Sequence, residues 1–154
     1  MQGKVCMFTG HRVIPVDAHK DLWEALKKEI ADLYLEGVRD FITGGALGFD
    51  TLAALTVLAL KEIRSDVKLH LYLPCRDQDK GWNRRNKEIF NHIKENADSI
   101  LYVNDIYVPG CMHARNRRMV DDSDVCIAYL MRACGGTAYT VDYAESRGIK
   151  VIKL

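Results

Sequence analysis

The sequence predicts an α/β fold, a three-layer α/β/α sandwich built on a mostly parallel sheet. Short apolar runs alternate with longer amphipathic ones along the whole chain. Several of the short runs end in glycine, as a strand does when it enters a turn. No linker, repeat or low-complexity tract interrupts the 154 residues. Residues 1–154 are therefore expected to form one domain with enough chain to bury a core.

The elements follow in order. Residues 4–9 are short, apolar and followed by Gly10, which suits a buried strand. Residues 17–36 carry Leu22, Leu26, Ile30 and Leu33 along one helical stripe. Gly37 marks the C-terminal stop of that helix. Residues 39–43 form a second strand that ends in Gly44 and Gly45. Residues 50–63, rich in Leu and Ala, read as a helix apolar around most of its surface. Residues 67–73 form a third strand, stopped by Pro74. Residues 82–97 place Ile89, Phe90, Ile93 and Ala97 on one side of a helix. A fourth strand at 99–103, a short polar helix at 112–122 and a fifth strand at 125–129 come next. A helix at 137–147, stopped by Gly148, and a sixth strand at 150–154 close the chain.

Strands separated by helices imply parallel βαβ units with right-handed crossovers, hence a Rossmann-like sheet. The pattern does not give the strand order. It does place every loop that follows a strand at one carboxyl edge, where open α/β folds bind ligands.

The composition narrows the partners. Hydrophobic residues make up 48% and charged residues 28%, a soluble globular balance. A net charge of +1 provides no global field to draw the chain to nucleic acid or an anionic membrane, and it argues against both as partners. The longest mostly apolar stretch, 52–60, falls far short of the roughly 20 residues of a membrane span. The first residues lack the pattern of a signal peptide, so the expected location is cytoplasmic. Cys6, Cys75, Cys111, Cys126 and Cys134 are odd in number and contain no C-x-x-C, which argues against a disulfide framework or a structural zinc site. His19, His92 and His113 show no metal spacing, and His70 reads as a packed strand residue. No metal or cofactor is expected. Pairing through exposed helix faces into a homo-oligomer is compatible with such a domain.

Three post-strand loops share a composition: Thr9-Gly10-His11-Arg12, Thr43-Gly44-Gly45-Ala46-Leu47-Gly48-Phe49-Asp50, and Gly135-Gly136-Thr137. Glycine lets backbone approach a ligand closely, and a helix N-terminus suits phosphate. The second and third loops both open helices, so the three together predict one phosphate cradle. Each glycine alone would equally make a simple turn. The second loop is not G-x-G-x-x-G, and no Walker A motif appears, which weakens the ordinary NAD and P-loop readings. Asp50 reads first as a helix N-cap and second as an acceptor for a ribose hydroxyl. Arg12, beside His11, is placed to clamp phosphate or to stand in solvent. Arg115 and Asn116 are expected to touch ligand, and Arg117 and Arg118 to lie on a solvated face. Gln78 has the chemistry to read a base edge, and Trp82 to stack on a base or to pack in the core. No Ser-His-Asp arrangement is evident, and Cys75 as a nucleophile lacks an identifiable base.

These motifs in this order resemble the SLOG superfamily, and within it the YpsA-like group of bacterial proteins. The likeness rests on Thr9-Gly10-His11-Arg12, the Gly44 to Asp50 loop, Pro74 with Gln78 and Trp82, Arg115-Asn116 with Met119-Val120-Asp121, Ser123-Asp124, and Gly135-Gly136-Thr137-Ala138. It covers nearly the whole chain. The resemblance implies a Rossmann-like fold that binds nucleotides or nucleotide-derived ligands. The superfamily also contains the LOG phosphoribohydrolases, which release a base from a nucleoside monophosphate, and the DprA proteins, which bind single-stranded DNA. LOG enzymes carry P-G-G-x-G-T-x-x-E, whose glutamate takes part in hydrolysis. Here Thr140 stands at that spacing, and Asp142 and Glu145 are out of register. The leading expectation is therefore a domain that binds or senses a nucleotide-derived small molecule. Cleavage of a nucleotide N-glycosidic bond ranks second. Single-stranded DNA binding ranks third, because the chain lacks a long basic stripe lined with aromatics.

Overall fold

The computed structural model describes residues 3–154. Its elements alternate as the apolar pattern predicts. Strand β1 is Val5–Gly10, β2 Asp40–Thr43, β3 Lys68–Leu73, β4 Ser99–Tyr102, β5 Val125–Tyr129 and β6 Lys150–Lys153. Helix α1 is His19–Leu35, α2 Phe49–Ile63, α3 Arg84–Asn96, α4 Cys111–Asp121 and α5 Gly136–Ser146. The strands form one sheet in the order β4-β3-β2-β1-β5-β6. Every pairing is parallel, which makes the sheet wholly rather than mostly parallel.

The period-two alternation of the strands sorts side chains into two layers. Cys6 and Phe8 point to a core shared with Leu22, Leu26 and Ile30 of α1, Ala53 and Val57 of α2, and Phe90 and Ile93 of α3. Val5 and Met7 point to a second core with Met119 and Val120 of α4 and Val141 and Ala144 of α5. Both layers are apolar because β1 is buried on both faces, as parallel strands are. Each large apolar side chain fully removed from water contributes about 1.5–3 kcal/mol, so these two layers hold the helices to the sheet.

Two local departures bear on function. Helix α2 starts at Phe49 with Gly48 as its N-cap, so Asp50 lies inside the first turn and does not cap it. Helix α3 starts at Arg84 behind an Asn83 cap, which leaves Trp82 outside the helix and packed on Phe90 at 5.2 Å between ring centroids.

Strand order also fixes where a ligand can enter. From β1 the chain steps outward through β2, β3 and β4, then crosses to the other side of β1 for β5 and β6. The reversal lies between β1 and β5, whose last residues, Gly10 and Tyr129, are register partners. Loops leaving adjacent strands toward opposite sides part there and open a crevice.

Candidate functional site

The loop after β1 is tied to both of its neighbours. At Gly10 a Cβ would run into the ring of Phe49, so glycine lets the first residue of α2 pack on the strand end. The Phe49 N–H donates to the His11 carbonyl at 3.1 Å. Gly48 takes the left-handed φ of 78°, and a Cβ there would strike the Arg12 carbonyl. On the other side, the Met131 N–H donates to His11 Nε2 at 2.7 Å, which joins the β1 loop to the β5 loop. This bond requires an unprotonated Nε2. Burial, with the nearby Arg132 charge, lowers the His11 pKa and keeps the ring neutral.

A cavity of about 540 Å³ opens at this junction. Among the residues singled out in the sequence, Gly10, His11, Arg12, Ala46, Asp50, Arg115, Asn116, Gly135, Gly136 and Thr137 line it. Gly44, Gly45, Gly48, Gln78 and Trp82 lie outside that lining. Gly44 sits beneath it, flanked so closely that a Cβ would stand 2.6 Å from Arg115 Nη1 and 2.9 Å from Asp50 Oδ2. Gly45 turns away from the cavity, toward Leu73 and Phe90. Gln78 Nε2 donates to the Gly45 carbonyl at 2.7 Å and so braces the loop from behind.

Arg115 forms part of the cavity wall. Only 4% of it is exposed. Its Nη1 donates to the Gly44 carbonyl and, at 3.3 Å, to the Tyr72 carbonyl, while Nε donates to Asn116 Oδ1 at 2.7 Å. Asp50 faces it and accepts the Ala46 N–H at 3.2 Å. Burial raises the Asp50 pKa, opposed first by the Arg115 charge and then by the Ala46 amide and Arg12. Asp50 is the single carboxylate in the lining. Arg12 and Arg132, also in the lining, are exposed and make no ion pair among the described residues.

The helix ends complete the electrostatics. Helices α2, α4 and α5 start behind Gly48, Gly110 and Gly135, and none receives a side-chain cap. Helix α3, which contributes nothing to the cavity, is capped by Asn83 Oδ1 accepting the Asn86 N–H at 2.8 Å. First-turn residues of the three glycine-started helices line the cavity: Asp50, then Met112 and His113, then Gly136 and Thr137. At Gly135 and Gly136 a Cβ would meet nothing within 4 Å, so this backbone is bare. Bare first-turn amides and a partial positive charge make such an end receptive to an anion.

Several lining residues escape a reading of motifs. Met112, His113, Tyr129, Met131, Arg132 and Cys134 all line the cavity. Their common signal is position: they end or follow β5, or begin α4. Tyr129 is 4% exposed, and its buried hydroxyl has no partner among the described residues. Arg117 and Arg118 bond to the Tyr139 hydroxyl and to Asp122 on the helix surface. Cys75 is buried outside the lining, and burial pushes its thiol up to about 11, which makes it a poor nucleophile. A serine, a histidine and an aspartate do meet, contrary to the sequence reading. His70 lies 2.7 Å from Asp40 and 2.6 Å from Ser99 across β2, β3 and β4, and none of the three lines the cavity. Among the described residues no group of three or more His, Cys, Asp or Glu is placed to hold a metal ion, and no helix is long and apolar enough to cross a membrane.

Known proteins share this architecture. The chain is 31% identical over 117 residues to the uncharacterized SPbeta prophage-derived protein YoqJ of Bacillus subtilis, covering 68% of each. It is 24% identical over 155 residues to a UPF0398 protein of Bacillus thuringiensis, covering 94% of this chain and 84% of the other. The fold matches DNA processing protein A of Helicobacter pylori with a TM-score of 0.68 at 21% identity, over 97% of this chain but 64% of that one. That protein's structure describes a single-stranded DNA binding mode. The likeness overturns the argument from net charge against nucleic acid as a partner. A charge of +1 sums the whole surface, whereas the cavity gathers Arg12, Arg115 and Arg132 against one carboxylate. With residues 8–148 matching it, the chain belongs to the YspA SLOG family.

Proposed function

We propose that the cavity between the β1 and β5 loops binds the phosphate of a nucleotide or nucleotide-derived ligand. One observation carries this reading: the uncapped start of α5 opens on the same cavity as Arg12 and Arg132, two exposed arginines that make no ion pair among the described residues. An anion there would accept from bare amides at Gly136 and Thr137 and from the guanidinium donors of Arg12, on the β1 loop, and Arg132, on the β5 loop. Asn116 and Asp50 would address the sugar, and Thr9 and the Tyr129 hydroxyl would supply further polar contacts. Arg115 acts from behind by holding the Gly44 carbonyl in place and by setting its charge against the buried Asp50.

Calorimetric titration with AMP, ADP, ADP-ribose, NAD and inorganic pyrophosphate tests the proposal. At least one should bind, and a ligand present at about 100 times its dissociation constant should stabilise the fold by about 2.7 kcal/mol. Arg12→Gln should weaken binding about tenfold, the loss of one charge-assisted contact, without changing the melting temperature. No binding and no thermal stabilisation by any of them at millimolar concentration would refute it.

A second reading is single-stranded DNA binding, favoured by the fold likeness to DNA processing protein A. Its signature is an affinity for oligonucleotides that falls steeply with salt. Bond cleavage at the site is less well supported. Thr140 stands at the position where LOG enzymes carry a glutamate, and its hydroxyl donates to the Gly136 carbonyl within α5 at 2.8 Å.

A further inference from the structure

Beyond the cavity mouth, α4 and α5 lie side by side and present an aromatic pair that the phosphate site does not use. The His113 and Tyr139 rings stand 4.2 Å apart between centroids, tilted by 49°. His113 itself lines the cavity. Tyr139 is 38% exposed, and its amide donates to the Gly135 carbonyl, which places it one turn into the helix that opens on the cavity. Arg117 Nη1 donates to the Tyr139 hydroxyl at 2.9 Å and holds a cation at the ring's edge. The exposed Arg132 lines the cavity together with His113. Aromatic faces flanked by arginine beside a phosphate-binding cleft are the chemistry of a nucleobase platform.

The seam also has an end. One turn beyond Arg117 and Tyr139, Asp121 accepts the Tyr143 hydroxyl at 2.8 Å and pairs with Arg147 at 3.7 Å. Arg118 is paired with Asp122 and Arg147 with Asp121, so past Arg117 this seam offers a further phosphodiester no unpaired cation among the described residues, and the receptive surface extends about one nucleotide past the cavity.

We infer that the ligand is a short single-stranded nucleic-acid segment of two nucleotides, one seated by its phosphate and sugar in the cavity and the base of the other stacked on the His113–Tyr139 pair. The inference rests on the phosphate reading above. It adds a second subsite with its own residues. Rings of purines and pyrimidines would stack alike, so the platform would tolerate any base while selecting length.

The test is calorimetric titration of the whole chain at low salt with dAMP, with the 5′-phosphorylated dinucleotide of deoxyadenosine, with its hexamer and with NAD. The dinucleotide should bind about 5- to 100-fold more tightly than dAMP, the range a stacked base contributes. The hexamer should add little beyond the statistical gain from its several registers. Tyr139→Ala should remove most of the dinucleotide advantage and leave dAMP binding within about twofold of wild type. Tyr139→Phe keeps the ring, loses the Arg117 bond and should retain the advantage, which separates stacking from mere bracing of α4 against α5. Equal affinities for dAMP and dinucleotide would overturn the platform while leaving the phosphate site intact. So would tight NAD binding without a gain for the dinucleotide, which would point to a pyrophosphate-linked ligand instead. Failure of every probe to bind would overturn both readings together.

Discussion

Replacing Arg115 by methionine tests the account of the cavity floor most directly. The side chain is 4% exposed and donates to the Gly44, Tyr72 and Asn116 oxygens, and its charge is the largest influence opposing burial at Asp50. Methionine fills most of the volume but supplies neither donors nor charge. Removing a buried guanidinium that satisfies three oxygens and offsets the charge of a buried carboxylate costs about 3–5 kcal/mol. For a domain of this size each kcal/mol lowers the melting temperature by about 2–4 °C, so Arg115→Met should melt about 6–20 °C below wild type. Circular dichroism melts and urea titration both measure this. The deficit should shrink as pH falls. Burial already raises the Asp50 pKa, removing Arg115 raises it further, and a carboxyl titrating higher in the folded than in the unfolded chain favours folding at low pH. Adding Asp50→Asn to Arg115→Met should recover part of the loss, with a coupling of about 1 kcal/mol or more. A single variant melting within about 2 °C of wild type, or a deficit independent of pH, would refute the claim that the Arg115 charge offsets the burial of Asp50.

Two further outcomes follow from the loops. The sequence reading places Gly45 at the ligand, where Gly45→Val would block binding and spare the fold. Instead Gly45 has φ 70° and a Cβ would stand 2.6 Å from Leu73, so Gly45→Val should destabilise the protein by about 2–6 kcal/mol in urea denaturation, and a wild-type midpoint would contradict this. Acidification should release the β5 loop, because protonated His11 cannot accept the Met131 N–H. The His11 pKa lies below its ordinary 6.5, so the stability it contributes is complete above that value and is lost as pH falls toward the lowered one. Hydrogen exchange at the Met131 amide, corrected for its intrinsic pH dependence, should accelerate across that range, and unchanged protection would exclude the latch.

The individual elements were legible because each is written in local periodicity. The stripe of Leu22, Leu26, Ile30 and Leu33 defines α1 whatever surrounds it, and the run ending at Tyr129 is a strand in any parallel sheet. Much of the cavity was legible as well, since Gly135 and Gly136 advertise bare backbone at a helix start and Gly10 marks the end of β1. Asp50 was misread as a cap because an aspartate near a helix start has that role in most settings. Here Gly48 takes the cap position, and the carboxylate is spent on the Ala46 amide.

By itself the sequence determined the α/β class, the succession of strands and helices, and the chemistry available at the loops, because these depend on residues near one another in the chain. Only the tertiary structure decided which loops share a cavity. That choice rests on β5 pairing with β1 rather than with β4. Such a pairing is a contact between residues more than a hundred positions apart, Gly10 and Tyr129 at its end, and no local pattern records it. It brings His113, Tyr129 and Arg132 into the site and leaves Gln78 and Trp82 outside it, because the β3 loop emerges two strands away from the reversal.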